Sequence, residues 1–238
     1  MKILQLLYEN DGRPPKSDID PNETESVIGN SFKDRVIPDL LADEGHTGDI
    51  VDSKLIIQKI RKDFPDLSHL RMDVVDSADR VRIYFGQDGD GERIELPPKL
   101  RTELGDSLVM HEIAHLLYTK DLLCNKIVKH KNAPQAFTIL RVLEDIAIER
   151  RLERDFPKAV DVFKTRGKHI MPAYKKHIPS DFAKQVDGLF LYLRGYSGTF
   201  KGDPYAIKYA NMYLNHDNPN TKIKAVLDLV ALFMHDSD

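Results

Sequence analysis

The sequence predicts an α+β fold: a small antiparallel or mixed sheet packed on a mainly helical body. Three observations predict it. Residues 69–97 alternate apolar and polar side chains, the period of a strand. From residue 101 onward the apolar spacing changes to three and four, the period of a helix. Pro, Gly, Asn and Asp separate the periodic segments, which marks turns between short elements. A chain of 238 residues holds one large domain, or one domain with a smaller helical appendage.

Residues 9–31 are rich in Asp, Pro, Asn, Ser and Glu and read as a loop or arm. With the loop LADEGHTGDI they form an N-terminal region, 1–50, either separate from the core or folded into it. VDSKLIIQKIRKDF, 51–64, is expected to be helical. Asp52 or Ser53 can cap it, Leu55, Ile56, Ile60 and Phe64 share a face, and Pro65 stops it. HLRMDVV, DRVRIYFG and ERIELPP then read as two or three short antiparallel strands, with DSA and QDGDG as turns. Pro97 and Pro98 end the last strand and suit a sheet edge or a strand exit. The helices that follow are RTELGDSLVMHEIAHLLYT, the short DLLCNKIVKH, and APQAFTILRVLEDIAIERRLERDF, which Pro157 ends. Further helices are expected over 158–169, 181–195, 204–215 and 221–235. The division this implies is 1–50, a metal-site domain over 51–170, and a helical subdomain over 171–238.

Composition narrows the function. Hydrophobic residues make up 41% and charged residues 31%, an ordinary globular balance. The net charge of −3 gives no bulk attraction to nucleic acid or to an anionic membrane, so neither is expected as a partner. One cysteine, Cys124, rules out an internal disulfide and any multi-cysteine metal site. It reads as an inert thiol on an apolar helix. The start, MKILQLLYENDGRPPK, is too short in its apolar run for a signal-peptide core, and no run approaches a membrane span. A cytoplasmic location is the expectation.

The chemistry concentrates in VMHEIAHLLY, residues 109–118. Positions four apart on a helix lie one turn apart on one face. His111 and His115 can therefore present two imidazole nitrogens to one tetrahedral cation at about 2.0–2.1 Å. Glu112 stands one residue round the helix and can reach a metal-bound water without being a ligand. This is the HExxH arrangement, in which the glutamate is the general base and zinc brings the pKa of its water to about 7. Chance produces the pattern in about one or two chains per hundred of this length. The other reading is a pair of core histidines with ordinary hydrogen-bond partners. Leu104, Leu108, Ile113, Leu116 and Leu117 make the segment largely buried, however. Histidines and a carboxylate buried there need partners, and unpaired charge costs several kcal/mol.

A catalytic zinc takes three protein ligands and keeps a fourth position open. LRVLEDIAIERRLER offers Glu144, Asp145 and Glu149 for the third. Arg141, Asp145 and Glu149 fall at i, i+4 and i+8, the spacing of a solvated charge ladder. Glu144 lies on another face, among Phe137, Leu140, Ala147 and Ile148, and a carboxylate in an apolar setting usually has a function. Glu144 is therefore the expected ligand, with Asp145 or Glu149 free to hydrogen-bond a ligand histidine. His130, between lysines in VKHK, reads as a surface histidine.

DGERIELPPKL, then HEIAHLLYTKD, then LEDIAIERRLERDFPKA resembles the gluzincin-type metallopeptidase domains of bacteria and their phages. These are often joined to a von Willebrand factor A domain and are related to a subunit of aerobic cobaltochelatase. The resemblance spans about residues 75–165 and lies in the order of three elements. It implies a zincin-like fold, zinc held by His111, His115 and Glu144, Glu112 as the catalytic acid–base, and a protein or peptide substrate. Two positions depart from the family pattern: Ala147 stands where the family has arginine, and Pro157-Lys158 where it has Pro-Gly. The A domain, and any partner it recruits, would be missing or encoded separately.

The expectation is a zinc-dependent metallopeptidase that hydrolyses a peptide bond with Glu112 and a zinc-bound water. The alternative is a non-catalytic zinc-containing assembly or adaptor protein, phage-encoded in one version, that acts by protein–protein binding. In the enzymatic reading the substrate adds as a strand beside a sheet edge, and ERIELPP, 92–98, is the candidate edge. Donors available to an oxyanion are Tyr118, His169, Tyr174, His177, Tyr192, Arg194 and Tyr196, none singled out. GLFLYLRGYSG, 188–198, reads as a core helix with a glycine stop, ERRLERD as a solvated helix face, and YKK as too small a basic patch to bind nucleic acid.

Overall fold

A computed structural model describes residues 49–78, 80–84, 92–119, 127, 130–176 and 181–235. The expected N-terminal arm up to residue 48, the QDGDG turn and most of DLLCNKIVKH, Cys124 included, lie outside the described residues. Within them the chain is α+β, with small sheets and seven α-helices.

The element order begins with β1 (Ile50–Asp52) and α1 (Ser53–Asp63), followed by a 3₁₀ turn at Pro65–Leu67. Asp52 caps α1, its carboxylate accepting from the Lys54 N–H at 2.8 Å. The helix expected over 51–64 thus begins two residues later, because Val51 and Asp52 pair in a strand. Next come β2 (Met72–Val74), β3 (Arg82–Tyr84), β4 (Arg93–Leu96) and β5 (Lys99–Arg101). β1 and β5 form an antiparallel pair, and the other three form a sheet in the order β2-β4-β3.

That sheet is mixed. β4 runs parallel to β2 and antiparallel to β3. Two expectations change with it. The strands are not all antiparallel, because alternation fixes which face is buried and carries no information on direction. And 92–98 is not an edge: β4 is the central strand, with hydrogen-bonding partners on both sides, so a substrate strand has no room there. Ile94 and Leu96 point into the core with no exposure, each burial stabilising by about 1.5–3 kcal/mol. The exit after β4 is tied to α1, where Ser53 donates from its hydroxyl to the Pro97 carbonyl and from its N–H to the Pro98 carbonyl at 3.0 Å.

The helical body is α2 (Thr102–Tyr118), α3 (Ala133–Asp155), α4 (Ala159–Lys176), α5 (Asp181–Leu193), α6 (Pro204–Asn215) and α7 (Pro219–His235). α5 and α6 lie on the expected segments 181–195 and 204–215, α7 starts two residues before 221 because Pro219 opens it, and α4 runs seven residues past the expected end at 169. The expected divide at 170 falls inside α4. α2 and α3 are apolar on more than one side, which marks helices covered all round. On α2, Val109, Met110, Ile113 and Ala114 are fully buried. α3 runs about 35 Å and serves two cores. Its first part packs with α5, α6 and α7 through Phe137, Leu140, Leu143 and Ile146. Ile148 and Leu152 join the second core, built from α1, the sheet, α2 and Phe163 of α4. α1 and α2 approach closely at Gly105, where an added Cβ would crowd the Ile56 Cδ1.

Candidate metal centre

α2 and α3 pack side by side and bring three side chains together. Helical spacing puts His111 and His115 on one face, with ring centroids 4.6 Å apart and planes at 89°. Their Nε2 atoms lie 3.1 Å from each other. Asp145, from α3, places Oδ1 3.1 Å from His115 Nε2 and 3.8 Å from His111 Nε2. Three ligands at 2.0–2.1 Å from a tetrahedral zinc stand about 3.3–3.4 Å apart, and the observed separations bracket that value. The three residues are 3%, 1% and 4% exposed, so their polar atoms must be satisfied inside the protein. Two imidazole nitrogens and a carboxylate oxygen form a donor set suited to a divalent transition metal, zinc among them.

The carboxylate that joins the histidines is Asp145, and this corrects the assignment of Glu144. Successive residues on a helix point about 100° apart, so one turn of α3 sends the two acids to different neighbours. Glu144 faces the C-terminal helices, where it accepts from the Tyr213 hydroxyl at 2.7 Å. Burial raises its pKa, and the Tyr213 hydrogen bond and the Lys222 charge offset this only in part. Of the apolar neighbours that set Glu144 apart in the sequence, Phe137, Leu140 and Ala147 belong to the core shared with α5, α6 and α7, and Ile148 to the other core. The supposed ladder is buried at two of its three positions: Asp145 is 4% exposed and Glu149 has no exposure at all, while Arg141 is half-buried.

Glu149 sits behind His111. Its Oε1 is 2.7 Å from His111 Nδ1 and 2.7 Å from Arg166 Nη1, and Arg194 Nε lies 2.9 Å from Oε2. Burial alone would favour the neutral acid, but Arg166, Arg194 and His111 outweigh it and hold the Glu149 pKa far below the carboxylate range. An ionised carboxylate only accepts, so His111 donates from Nδ1 and turns an unprotonated Nε2 toward His115 Nε2 at 3.1 Å. His115 is held differently, with Nδ1 2.9 Å from the hydroxyl of Thr119, the residue that ends α2. Glu112 lies one position round α2 from His111 and is half-buried.

Arg194 owes its position to a glycine. α5 ends in a Schellman turn, with Tyr196 N–H donating to the Leu191 carbonyl and Gly195 N–H to that of Tyr192, at φ +70° for Gly195. The expected glycine stop after 188–193 is therefore present. It delivers Arg194 to Glu149 and, through Nη2, to Glu153 at 2.7 Å. ERRLERD is solvated only in part, since Glu149 and Leu152 face inward.

The other candidates have other contacts. The Tyr118 hydroxyl donates to Asp155 at 2.9 Å and that of Tyr196 to the Phe163 carbonyl at 2.9 Å. His130 Nδ1 accepts from the Asn132 N–H at 3.2 Å, a turn contact. The side chains of His169, Tyr174 and His177 lie outside the described ones. Asp145, Thr119, Arg166 and Arg194 are the site residues that the sequence reading ranked low or passed over. The usable signal was the matched spacing of His111/His115 and Asp145/Glu149, two four-residue steps on helices able to face each other.

No described helix is long and apolar enough to cross a membrane. No protein-family model matches the chain, and no curated protein or solved structure matches it either.

Proposed function

We propose that the chain is a zinc-dependent metallopeptidase of zincin-like architecture, with zinc held by His111, His115 and Asp145. The observation that carries this reading is the convergence of two Nε2 atoms and one Oδ1 at tetrahedral ligand spacing, with Glu112 next to the first ligand. Among the described residues three side chains form the group, the number of protein ligands that a catalytic zinc takes.

Zinc bound there supplies Lewis acidity, which polarises a peptide carbonyl and makes water acidic enough to lose a proton near pH 7. The protein groups do the rest. Glu112 takes the proton of the attacking water and passes it to the leaving amine, a contribution of about 10²–10⁴-fold. Glu149 orients His111, and Thr119 orients His115. A substrate lying as an extra strand would pair with β2 or β3, because both sides of β4 are taken.

The test combines elemental analysis of purified protein, an anomalous map at the site, and mass-spectrometric cleavage of a peptide library. The expected result is one zinc per chain with an open vertex, and cleavage that a chelator abolishes. Glu112→Gln should keep the zinc and lose cleavage. Equal cleavage by this variant and the parent overturns the enzymatic reading. Zinc without cleavage of any peptide supports an assembly or adaptor protein in its place.

A further inference from the structure

We infer that Arg166 and Arg194 are positioning residues for the metal centre, acting through Glu149 to hold the His111 lone pair toward the ligand group. The inference deepens the proposed function and rests on its choice of ligands. It starts from a buried cluster of charges that no ligand requires for its own bonding. Glu149 and Arg166 are almost wholly inaccessible, and charges are buried at a cost of several kcal/mol each unless well paired. The pairing here has a direction. A guanidinium has donors and no acceptor. Oε1 accepts from Arg166, and Oε2 lies 2.9 Å from Arg194 Nε in an ion pair that falls short of hydrogen-bond alignment. The carboxylate is kept as an acceptor toward His111, at 2.7 Å, so the ring hydrogen must sit on Nδ1. Nε2 then faces His115 Nε2 and Asp145 with its lone pair.

Both arginines come from outside the ligand helices. Arg166 is on α4, and Arg194 follows α5 at the Schellman turn. Their guanidiniums lie over the Phe163 ring, at 5.6 Å and 5.3 Å from its centroid. Arg194 also lies 5.8 Å from the Tyr196 ring centroid. That ring approaches α4 because residue 167 is glycine; a Cβ there would stand 2.4 Å from Tyr196 Cδ1. Glu153 anchors the far side of Arg194 through both Nη atoms, at 2.7 and 3.3 Å. The clamp thus has two aromatic walls and an outer carboxylate.

The test uses full-length chain with ¹⁵N-labelled histidine, purified without added metal, and Zn²⁺ as the only probe. Nitrogen chemical shifts should show His111 as the Nδ1–H tautomer. Arg194→Met should mix the two tautomers and weaken Zn²⁺ binding about 10–100-fold in competition with a chromophoric chelator, the range for lost support of a ligand. Arg194→Lys keeps one charge but cannot span Glu149 and Glu153, and should recover part of the loss. Glu153→Gln removes only the half-exposed outer anchor, so it gives a reading even where Arg194→Met does not fold. It should move tautomer and affinity in the same direction by less. An Nε2–H tautomer in the parent, or unchanged tautomer and affinity in the folded variants, overturns the inference. Absence of Zn²⁺ binding by the parent would sink the ligand assignment, while the tautomer in metal-free protein would still test the clamp.

Discussion

Two neighbouring acids on α3 give the sharpest test of the site. Asp145→Asn removes the negative charge from the group whose Oδ1 lies 3.1 Å from His115 Nε2, whereas Glu144→Gln alters a group engaged with Tyr213. Substitutions behind a metal ligand cost about 10–100-fold in affinity, so loss of an anionic ligand should cost at least about 100-fold. With zinc at a hundred times the parent Kd, binding stabilises the parent by about 2.7 kcal/mol. For a chain of this size that is a rise in Tm of about 5–11 °C. At the same zinc concentration a hundredfold weaker variant gains about 0.4 kcal/mol, or about 1–2 °C. Glu144→Gln should keep the full zinc-dependent rise. Its metal-free stability should stay within about 1 kcal/mol of the parent, because the amide oxygen can still accept from Tyr213. The assay is differential scanning calorimetry of both variants with and without zinc, checked by chelator competition. If the zinc-dependent rise survives in Asp145→Asn and disappears in Glu144→Gln, the ligand assignment made from the structure is wrong.

Other outcomes follow from the same geometry. Glu112→Gln should retain the zinc-dependent rise in Tm and lose about 10²–10⁴-fold in peptide turnover; loss of both together would make Glu112 a structural residue. Gly195→Ala meets no atom within 4 Å, so its cost is the left-handed backbone alone, about 1–2 kcal/mol and about 2–8 °C in Tm; an unchanged Tm would refute the Schellman account. Zinc should switch the tautomer of His115 but not of His111. In metal-free protein the His115 Nε2–H can serve His111 Nε2 and Asp145, and zinc requires that hydrogen to move to Nδ1, with Thr119 turning from donor to acceptor. Nitrogen shifts of the two rings before and after zinc check this, and a switch at His111 would contradict it. The Tyr118 phenol is pushed up to about 12 by burial and by its hydrogen bond to Asp155. Its folded pKa exceeds the unfolded value of 10.0, so this stability is complete below that pH and is lost as pH rises toward 12. Ultraviolet titration against Tyr118→Phe should identify it as a late-ionising phenol; an ordinary titration would refute the contact.

Much of the architecture was legible because its causes are local. Asp52 caps α1 as its side chain allows, Pro204 and Pro219 open helices, and Gly195 closes one, each through the dihedrals and hydrogen bonds of a few adjacent residues. The histidine pair was legible for the same reason, since a four-residue step on a helix is a fixed distance. The strand order was not. The side chains of ERIELPP alternate identically in a central strand and in an edge strand, and nothing in them reports which backbone partner lies on either side.

Asp145 and Glu144 mark where linear information stops. Chain order and residue chemistry were enough to establish the α+β elements, the metal-competent helix and the presence of a nearby acid. Which acid turns toward the histidines depended on how α3 is rotated between its two cores, and that rotation is set by the summed packing of Phe137, Leu143 and Ile146 on one side and Ile148 and Leu152 on the other. Burial by distant helices also converted Asp145 and Glu149 from part of an apparent surface ladder into the inner wall of the site, where Arg166 and Arg194 meet Glu149 from segments 17 and 45 residues further along the chain. Side-chain chemistry acts over a few ångströms, so a site assembled from four helices takes its final form only when those helices pack.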